Sequence, residues 1–581
     1  PASEVVPGAN IAQTKTVRIF NSIYGEWKIL DGLKYRVNFG PDFTNQRFGR
    51  FTGMYTNARR LGAPTARTEY GQRFNYTVEN ILTYNKKFGG VHNLGLTGLH
   101  SVQRDNYETA FIDVNGVSAE PQAFYNLGQA ASFNAPGTDL QTWTLQSFMG
   151  RINYDFKEKY LLTLTGRYDG SSRFGANNKY GFFPSVAVGW NAGDEEFFKA
   201  LTWLDQLKIR GSYGSIGNTG IAPYQTQSLL GRTSYAFGTV PAYGYRVGTL
   251  ANDNLKWETT STGNIGIDFS LWQGRVYGSA EVYQADTRNL LLYNQLPISN
   301  GFDRVLQNVG HTRNRGFEVT LTTVNVAVPG GFNWSTDLQF TRNREAIIEL
   351  FNGKSDDVGN LRFIGQPLQV AYDYEKIGIW QLGEEDAARA FGQRVGQIKI
   401  KDQNGDGKID AVNDRIILGS TIPKWSGGIT NRLAFKGFDL SFFIYARIGN
   451  TIRSDFHLAN NSLAGRYNNL DINYWTPTNP SNDFPRPNKD QEFPIYNSTL
   501  QYFDGSFVKV RNINFGYNFS PGLVQAMKLS SLRLFTSIQQ PFIFAKFRSK
   551  YKGIDPETTD IVNANQIPSV RQITFGVNAK F

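Results

Sequence analysis

The sequence has no cysteine, only three methionines and only four histidines among its 581 residues. Without cysteine the chain can form no disulfide, no thiolate zinc cluster and no cysteine nucleophile. The histidines lie far apart, at His92, His100, His311 and His457, so a histidine-based metal centre is not expected. No stretch reaches the roughly 18 to 20 consecutive apolar residues that a membrane-spanning helix requires.

Lysine and arginine exceed aspartate and glutamate by 60 to 49, which gives a net charge of +11. These cations are dispersed, and no run forms the clustered basic patch that would favour a nucleic-acid partner. No nucleophile elbow, phosphate-binding loop or supported pair of carboxylates is present. The sequence therefore predicts neither a nucleic-acid-binding protein nor an enzyme.

Apolar and polar residues alternate with a period of two in many segments, which predicts strands with one apolar face and an all-β fold. The clearest segments are residues 160–169, 207–213, 264–271, 317–322 and 438–447. In a soluble sandwich the apolar face would meet a dry core. In an outer-membrane barrel it would meet lipid, while the polar face would line a wet lumen.

Connection lengths favour the barrel. Short turns alternate with long excursions, as periplasmic turns alternate with extracellular loops in membrane barrels. The long excursions are residues 41–72, 103–141, 216–261, 287–313, 345–424, 450–505 and 546–567. We count about seventeen strands, the first at about residues 16–30, and a short helix within 191–206. The fold class predicted is a transmembrane antiparallel β-barrel.

Charged residues fall on the predicted polar strand faces, where a wet lumen would accommodate them. The cations are Arg167, Lys208, Arg210, Arg432 and Arg447, and the anions are Asp268, Glu281, Glu318, Asp337 and Asp439.

The last strand carries a further signal. Apolar residues occupy alternate positions from Ile573 to Ala579, and the chain stops at Phe581. This ending resembles the C-terminal strand signal that the barrel-assembly machinery of Gram-negative outer membranes reads. We therefore expect Phe581 to act as an assembly signal. An ordinary last strand is the alternative.

Several segments resemble the SusC/RagA-type TonB-dependent transporters of Bacteroidetes outer membranes, and they occur in the family's order across most of the chain. They include YLLTLTGRYDGSSRFGANNKYGFFPSVAVGWNAGDEEFF (160–198), LDQLKIRGSYGSIGN (204–218), NVGHTRNRGFEVTL (308–321), KDQNGDGKIDAVNDRIILG (401–419), PKWSGGITNRLAFKGFDLSFFIYARIGN (423–450) and FVKVRNINFGYNF (507–519).

The resemblance implies a barrel of twenty-two strands, of which residues 1–581 would contain about seventeen. The N-terminal plug, the TonB box and the first strands have no counterpart here, so we expect the barrel to be N-terminally incomplete. It further implies an active importer of oligosaccharides or peptides in the outer membrane of a Gram-negative bacterium. Its partners would be a SusD-like surface lipoprotein, the TonB complex through the missing plug region, the barrel-assembly machinery and outer-membrane lipid.

Two other functions stay open at this point. The chain could form a plugless passive pore, or a scaffold that another polypeptide completes. It could also be a soluble all-β surface protein, in which case it would be extracted without detergent.

One motif suggests a cation site in the predicted extracellular loop 345–424. Its residues spell the front of an EF-hand-type calcium loop, with oxygen side chains at alternating positions and a glycine at the sixth. The usual glutamate at the twelfth position is replaced by Asn413. A hydrophilic turn held by Asx side chains is the alternative. The candidate calcium set is Asp402, Asn404, Asp406, Lys408, Asp410 and Asp414.

Aromatic residues in the long loops are candidates for substrate binding, because rings can stack on sugars or line a peptide cleft. Packing of the loops against one another is the alternative. The candidates are Trp380, Tyr474, Trp475, Tyr496 and Tyr502.

Overall fold

The structure is a computed structural model, and it describes residues 8–297, 299, 301–302, 304–464, 470–553, 555–557, 561–562 and 569–581. Strands account for 59% of the chain, which confirms the all-β class. None of the described helices is both long enough and apolar enough to cross a membrane.

The strands, in chain order, are β1 (Asn10–Phe20), β2 (Ile23–Leu30), β3 (Leu33–Thr52), β4 (Thr65–Phe88), β5 (His92–Asn115), β6 (Ser132–Phe133), β7 (Gly137–Phe156), β8 (Tyr160–Ser171), β9 (Tyr180–Asn191), β10 (Leu204–Asn218), β11 (Leu230–Phe237), β12 (Val240–Val247), β13 (Glu258–Leu271), β14 (Val276–Arg288), β15 (Leu291–Gln295), β16 (Arg304–Asn308), β17 (His311–Ala327), β18 (Asn333–Glu349), β19 (Val370–Tyr374), β20 (Lys376–Ile379), β21 (Ile398–Ile400), β22 (Arg415–Ser420), β23 (Trp425–Phe435), β24 (Phe438–Ile448), β25 (Thr451–Ser454), β26 (Tyr502–Asp504), β27 (Phe507–Asn518), β28 (Ser531–Ala545), β29 (Ile561–Val562) and β30 (Gln572–Lys580).

Helices are few and short. The α-helices are α1 (Glu196–Lys199), α2 (Glu385–Ala390), α3 (Asp455–Ala459), α4 (Pro521–Ala526) and α5 (Lys546–Tyr551). Single 3-10 turns occur at Glu120–Gln122, Leu127–Gln129, Ala176–Asn178, Ala192–Asp194, Val358–Asn360 and Asn497–Gln501. Helix α1 confirms the short helix predicted within 191–206.

Two compact units make up the chain. The first comprises Pro1–Val188, Ser212–Ser261 and Thr287–Val309, and the second comprises Gly189–Gly211, Thr262–Asp286 and Gly310–Phe581.

In the first unit, β3, β4, β5, β7 and β8 pair as an antiparallel meander in which each strand pairs with the next. Strands β4 and β5 each have 24 residues, about twice the 9 to 11 that cross a bilayer. The predicted excursions 41–72 and 103–141 were therefore too long. Strands β3 and β4 occupy both ends of the first excursion, and β5 and β7 occupy both ends of the second. The unpaired parts of the two excursions begin only after Thr52 and Asn115.

The predicted first strand is interrupted. Strand β1 pairs with residues 42–52 of β3, and β2 pairs with residues 33–39 of the same strand. Asn21 and Ser22 separate them, and the Asn21 amide donates to the carbonyl of Pro41. The strand predicted at about 16–30 is thus two strands on one path.

In the second unit, β17, β18, β23, β24, β27, β28 and β30 pair in that order, all antiparallel. Over the described residues of both units, nineteen strands take part in long-sheet pairings of this kind. Counting β1 and β2 as one interrupted strand, and setting aside the two-residue β6, leaves the seventeen that were predicted. Among the described residues no pairing closes the sheet into a ring.

Apolar side chains on alternate strand positions are exposed, as the barrel interpretation requires. On β8, Leu164 and Tyr168 are 39% and 45% exposed, and on β9 Phe182 is 63% exposed. In a sandwich these side chains would form the dry core between two sheets. Their exposure favours a lipid-facing surface.

Ion pairs cover the opposite face. Arg167 Nε lies 2.7 Å from Asp169 Oδ1 on β8. In the second unit Arg210 bridges Asp268 and Glu281, at 3.2 and 3.0 Å. Arg167, Arg210, Asp268 and Glu281 are thus on polar faces, where the sequence predicted charged residues.

Other charged residues on these faces have partners of several kinds, including oppositely charged side chains and a backbone carbonyl. Arg432 pairs with Asp337, whereas Asp439 pairs with Arg533 at 2.6 Å. Arg447 donates to the carbonyl of Thr421.

One ion-pair cluster is buried. Lys509 on β27 has a side chain only 3% exposed, and its Nζ lies 2.5 Å from Asp555 and 2.8 Å from Glu557. Burial alone would raise the pKa of Asp555, but hydrogen bonds from Lys509 and Ser569 outweigh it and hold that pKa below its usual value. Asp555 and Glu557 are thereby fixed to strand β27.

Leu164→Arg should destabilise the protein by about 2–4 kcal/mol if its face contacts hydrocarbon. The matched control is Thr163→Arg, one residue away on the ion-paired face, which should change stability much less. Unfolding in guanidinium from phospholipid vesicles measures both variants. Equal losses would contradict a lipid-facing apolar side.

Lys509→Met should release the 555–557 segment, because removing one partner of a buried pair costs about 3–5 kcal/mol. Limited proteolysis of residues 546–571 measures the release, and Asp555→Asn added to Lys509→Met should restore protection.

The same ion pair makes the anchoring depend on pH. Since the folded pKa of Asp555 is depressed, its stabilisation is present above the unfolded pKa of about 3.9 and is lost as pH falls through the folded value. Protection from proteolysis that is the same in the Lys509→Met variant and at low pH as in the natural sequence at neutral pH would refute this anchoring role.

Candidate functional site

The predicted loop 345–424 is a folded body and contributes its own hydrophobic core. Strand β19 pairs with β22, and β20 pairs with β21. Ile379, Ile398 and Ile400 from these short strands are buried against Trp475 and Phe484. Two long excursions, 345–424 and 450–505, thus pack together within the second unit.

A cavity of about 650 Å³ lies in this body. That volume falls within the roughly 300–1,000 Å³ of small-ligand sites. Aromatic side chains form much of its wall, and charged side chains interrupt them. The rings are Tyr374, Phe484, Tyr502, Phe503 and Tyr551, and the charged residues are Glu375, Lys376, Lys424, Asp483 and Asp504.

A buried histidine supports one wall. His457 is fully buried between the rings of Phe503 and Phe547, with centroid distances of 4.7 and 5.2 Å. Its Nε2 donates to the carbonyl of Tyr551 at 2.8 Å, so its Nδ1 accepts from the Ser454 hydroxyl at 2.7 Å. Burial lowers the pKa of His457, and the neutral ring thereby fixes Tyr551 at the cavity.

Lys376, at the start of β20, is the unusual charge in the cavity. Its ammonium donates to the carbonyl oxygen of Asp483. Among the described residues it forms no ion pair. Burial lowers the pKa of Lys376 to about 8, although the nearby Asp483 opposes that shift.

Asn450 also lines the cavity and is 2% exposed. Neither its Nδ2 nor its Oδ1 has a hydrogen-bond partner in the described structure. An unsatisfied buried donor or acceptor costs roughly 1–3 kcal/mol. Such groups are rare in native proteins and call for an explanation.

One of the predicted aromatic residues lines this cavity, and a second packs against a residue of its wall. Tyr502 lines it directly, and burial raises the pKa of its hydroxyl. Tyr496 lies behind the wall, where its ring meets Tyr374 edge-on at 5.1 Å.

The other three lie elsewhere in the loops. Trp380 and Trp475 are each 4% exposed. The ring of Trp380 stacks on Phe391, and Trp475 Nε1 donates to Gln381 at 2.9 Å. Both tryptophans therefore pack the loops, as the alternative interpretation expected, while Tyr474 is exposed. A substrate contact at any of these aromatics stays a prediction.

The calcium-like segment forms a tight turn in which carboxylates accept backbone amides. Asp402 accepts from Gly405 and Gly407, each at 2.8 Å. Asp414 is fully buried and accepts from Gln403 at 2.9 Å and Asp410 at 2.7 Å.

The remaining members of the candidate set complete this network. Asp406 accepts from the Lys408 amide at 2.8 Å and from the Asn404 side chain at 2.9 Å. The amides of Asn413 and Val412 lower the pKa of Asp410. No group of three or more acidic or histidine residues converges on a point in the described part of the chain. These contacts favour the Asx turn, and calcium binding stays a prediction.

Phe581 follows β30 and is 93% exposed. Ser530 Oγ lies 3.2 Å from its carbonyl oxygen and 2.9 Å from that of Lys580. Its role as an assembly signal stays a prediction.

Sequence reasoning missed Lys376 and Asn450. No motif includes them, because their environment depends on loops that are distant in sequence. The one available signal was a lysine opening the otherwise apolar segment KIGI (376–379).

Asp414→Ala should open the 402–414 turn, since two amides lose a charged acceptor worth about 1.5–3 kcal/mol each. Proteolysis of this turn, compared in chelator and in excess calcium, measures the effect. We expect equal loss in both solutions. Calcium-dependent protection of the natural sequence that Asp402→Ala abolishes would instead establish the metal site.

Comparison with known proteins agrees with this fold. A family model described as TonB dependent receptor-like, beta-barrel, matches residues 10–520. TonB-dependent receptor P3 of Formosa agariphila is 33% identical over 96% of this chain, and the match covers 58% of that receptor. TonB-dependent receptor SusC of Bacteroides thetaiotaomicron is 30% identical over 75% of this chain and 44% of its own length.

Among solved structures, the RagAB peptide transporter superposes on 99% of this chain with a TM-score of 0.84 and 22% identity, covering 63% of the matched chain. At that identity the likeness establishes the fold alone. The chain thus spans less than two thirds of the length of these relatives. Since the family model covers most of the residues of this chain, the chain belongs to the TonB-dependent receptor family and corresponds to its β-barrel; members of the family are transporters of the outer membrane.

Proposed function

We propose that this chain forms the wall and outer loops of an active importer that carries oligosaccharides or peptides across the outer membrane. The observation that carries the proposal is the division of wall strands such as β8 into an exposed apolar face and an ion-paired polar face. A closed barrel would turn the first face to lipid and the second to a water-filled lumen. Closure of the sheet, with twenty-two strands, is part of the proposal.

The loops give the wall a binding function. A folded loop body with a ligand-sized cavity would lie at the extracellular mouth, where a substrate first meets the transporter. The matched relatives point to the substrate classes, since one is the Bacteroides receptor SusC and another is described as a peptide transporter. We propose a SusD-like surface lipoprotein and TonB as the partners of this chain, and the barrel-assembly machinery as the reader of Phe581.

A second candidate is a passive pore or scaffold completed by another chain. The unclosed sheet of the described residues favours a need for further strands. Energy dependence separates the two candidates, because a passive pore needs no motor.

Uptake of the transported oligosaccharide or peptide by cells that depend on this protein should stop when TonB is deleted, because TonB couples the proton-motive force to transport. Accumulation of a labelled substrate pool measures this, with the TonB-independent uptake of a small sugar through porins as the control. A protonophore should have the same effect as the deletion. Uptake that persists without TonB would refute active import and support the pore.

A further inference from the structure

Only some of the charged residues that line the loop cavity form ion pairs. Asp483 is engaged by Lys550, whose Nζ lies 2.7 Å from its carboxylate. Glu375 is engaged by Lys401 at 3.3 Å and by Gln403 at 2.9 Å.

The third carboxylate, Asp504, accepts hydrogen bonds from the amide and the hydroxyl of Ser506 and forms no ion pair with any described residue. The two remaining cations, Lys376 and Lys424, line the same cavity. Neither forms an ion pair with any residue that the structure describes.

Lys376 is the more informative of the two cations because it is recessed. Its ammonium has three N–H donors, and the structure gives it a single acceptor, the carbonyl of Asp483. Lys376 is half-buried, and its ammonium lies 5.9 Å from the centroid of the Phe484 ring, which supplies no hydrogen-bond acceptor. A cation withdrawn from water is normally paired with an anion. An anionic ligand would supply both the charge and the missing acceptors.

Two other features of the cavity fit such a ligand. Tyr502, Phe503 and Phe484 offer apolar ring faces, against which a sugar ring or a side chain can pack. Asn450 lines the cavity and contributes an amide that has no partner on either atom, and a polar group of the ligand would satisfy it.

We infer that this cavity binds a carboxylate-bearing unit of the substrate, with Lys376 as the residue that recognises the carboxylate. The inference rests on the proposed function, which it deepens by adding a charge to the substrate class. A carboxylate can come from a uronic-acid residue of a glycan or from a peptide, and the cavity chemistry is the same for both.

The test is calorimetric titration of the detergent-purified full protein, together with any lipoprotein that co-purifies with it. The probes are two pairs matched in length: tetragalacturonate with maltotetraose, and tetra-alanine with its C-terminal amide. We expect the acidic member of one pair to bind on the order of tenfold more tightly than the neutral member, as charge-assisted hydrogen bonds are the stronger kind. The pair that shows the preference identifies the source of the carboxylate.

Lys376→Met keeps the methylene stem and removes the charge, so it should abolish the preference for the acidic probe. The matched control is Lys489→Met, which removes the same charge from a loop lysine that is 85% exposed and pairs with Asp490. This control should keep the preference. Loss of the preference in both variants would overturn the inference. The preference for the acidic probe would then come from the overall positive charge of the protein and not from a contact with Lys376.

Asn450→Leu provides a variant that should fold. Replacing an unpartnered amide by an apolar group of similar size is nearly neutral or stabilising, so the melting temperature should not fall, while binding of the acidic probe should weaken. Unchanged binding of that probe would remove Asn450 from the site.

Failure of the inference can be told apart from failure of the proposed function. Equal binding of acidic and neutral probes by the natural sequence, in cells that still import through TonB, would overturn the inference alone. Acid-selective binding without TonB-dependent import would overturn active import and leave the site standing.

Discussion

The structure depends on the two-residue alternation of side chains along strands whose backbone groups are satisfied by neighbouring strands. Alternation lets a single strand meet two environments. On β8 the side chains of Leu164 and Tyr168 are exposed and apolar, while Arg167 and Asp169, at positions of the opposite parity, form an ion pair. A strand of this kind is stable only where one side is apolar and the other is wet, which is the condition at the wall of a membrane barrel.

The loops obey a different rule, because they must build a core outside the membrane. Short strand pairs, a few helical turns and two buried tryptophans form it. The same packing recesses Lys376 and Asn450 in a cavity with aromatic walls. A rigid wall therefore carries a folded loop body in which polar groups are left without partners, and that combination is what a binding site requires.

The strands were predictable because their signal is local. A period of two, read from adjacent residues, predicted about seventeen strands, and segment resemblance identified the family. Where the local signal weakens, the prediction failed: β3 and β5 continue as far as Thr52 and Asn115 through cross-strand pairing, which a single sequence does not reveal. Likewise, the interruption between β1 and β2 leaves no clear mark in the sequence.

The candidate site was less predictable, since its residues come together only through tertiary contacts. Tyr502 was singled out for its aromatic ring and does line the cavity, but so were Trp380 and Trp475, which are core residues. Composition does not distinguish a ring that packs from a ring that binds. The carboxylates of the 402–414 turn illustrate the same ambiguity, because the oxygens that would suit calcium also suit backbone amides.

The central claim is that one face of each wall strand contacts lipid and the other contacts water. The absence of cysteine makes a direct measurement possible, since single cysteines can be placed along β8 and spin-labelled without background. In lipid vesicles, accessibility to oxygen should be high at even-numbered positions from 160 to 168, and accessibility to a water-soluble nickel complex should be high at the odd-numbered positions between them. Uniform accessibility to the nickel complex along the strand would contradict the account.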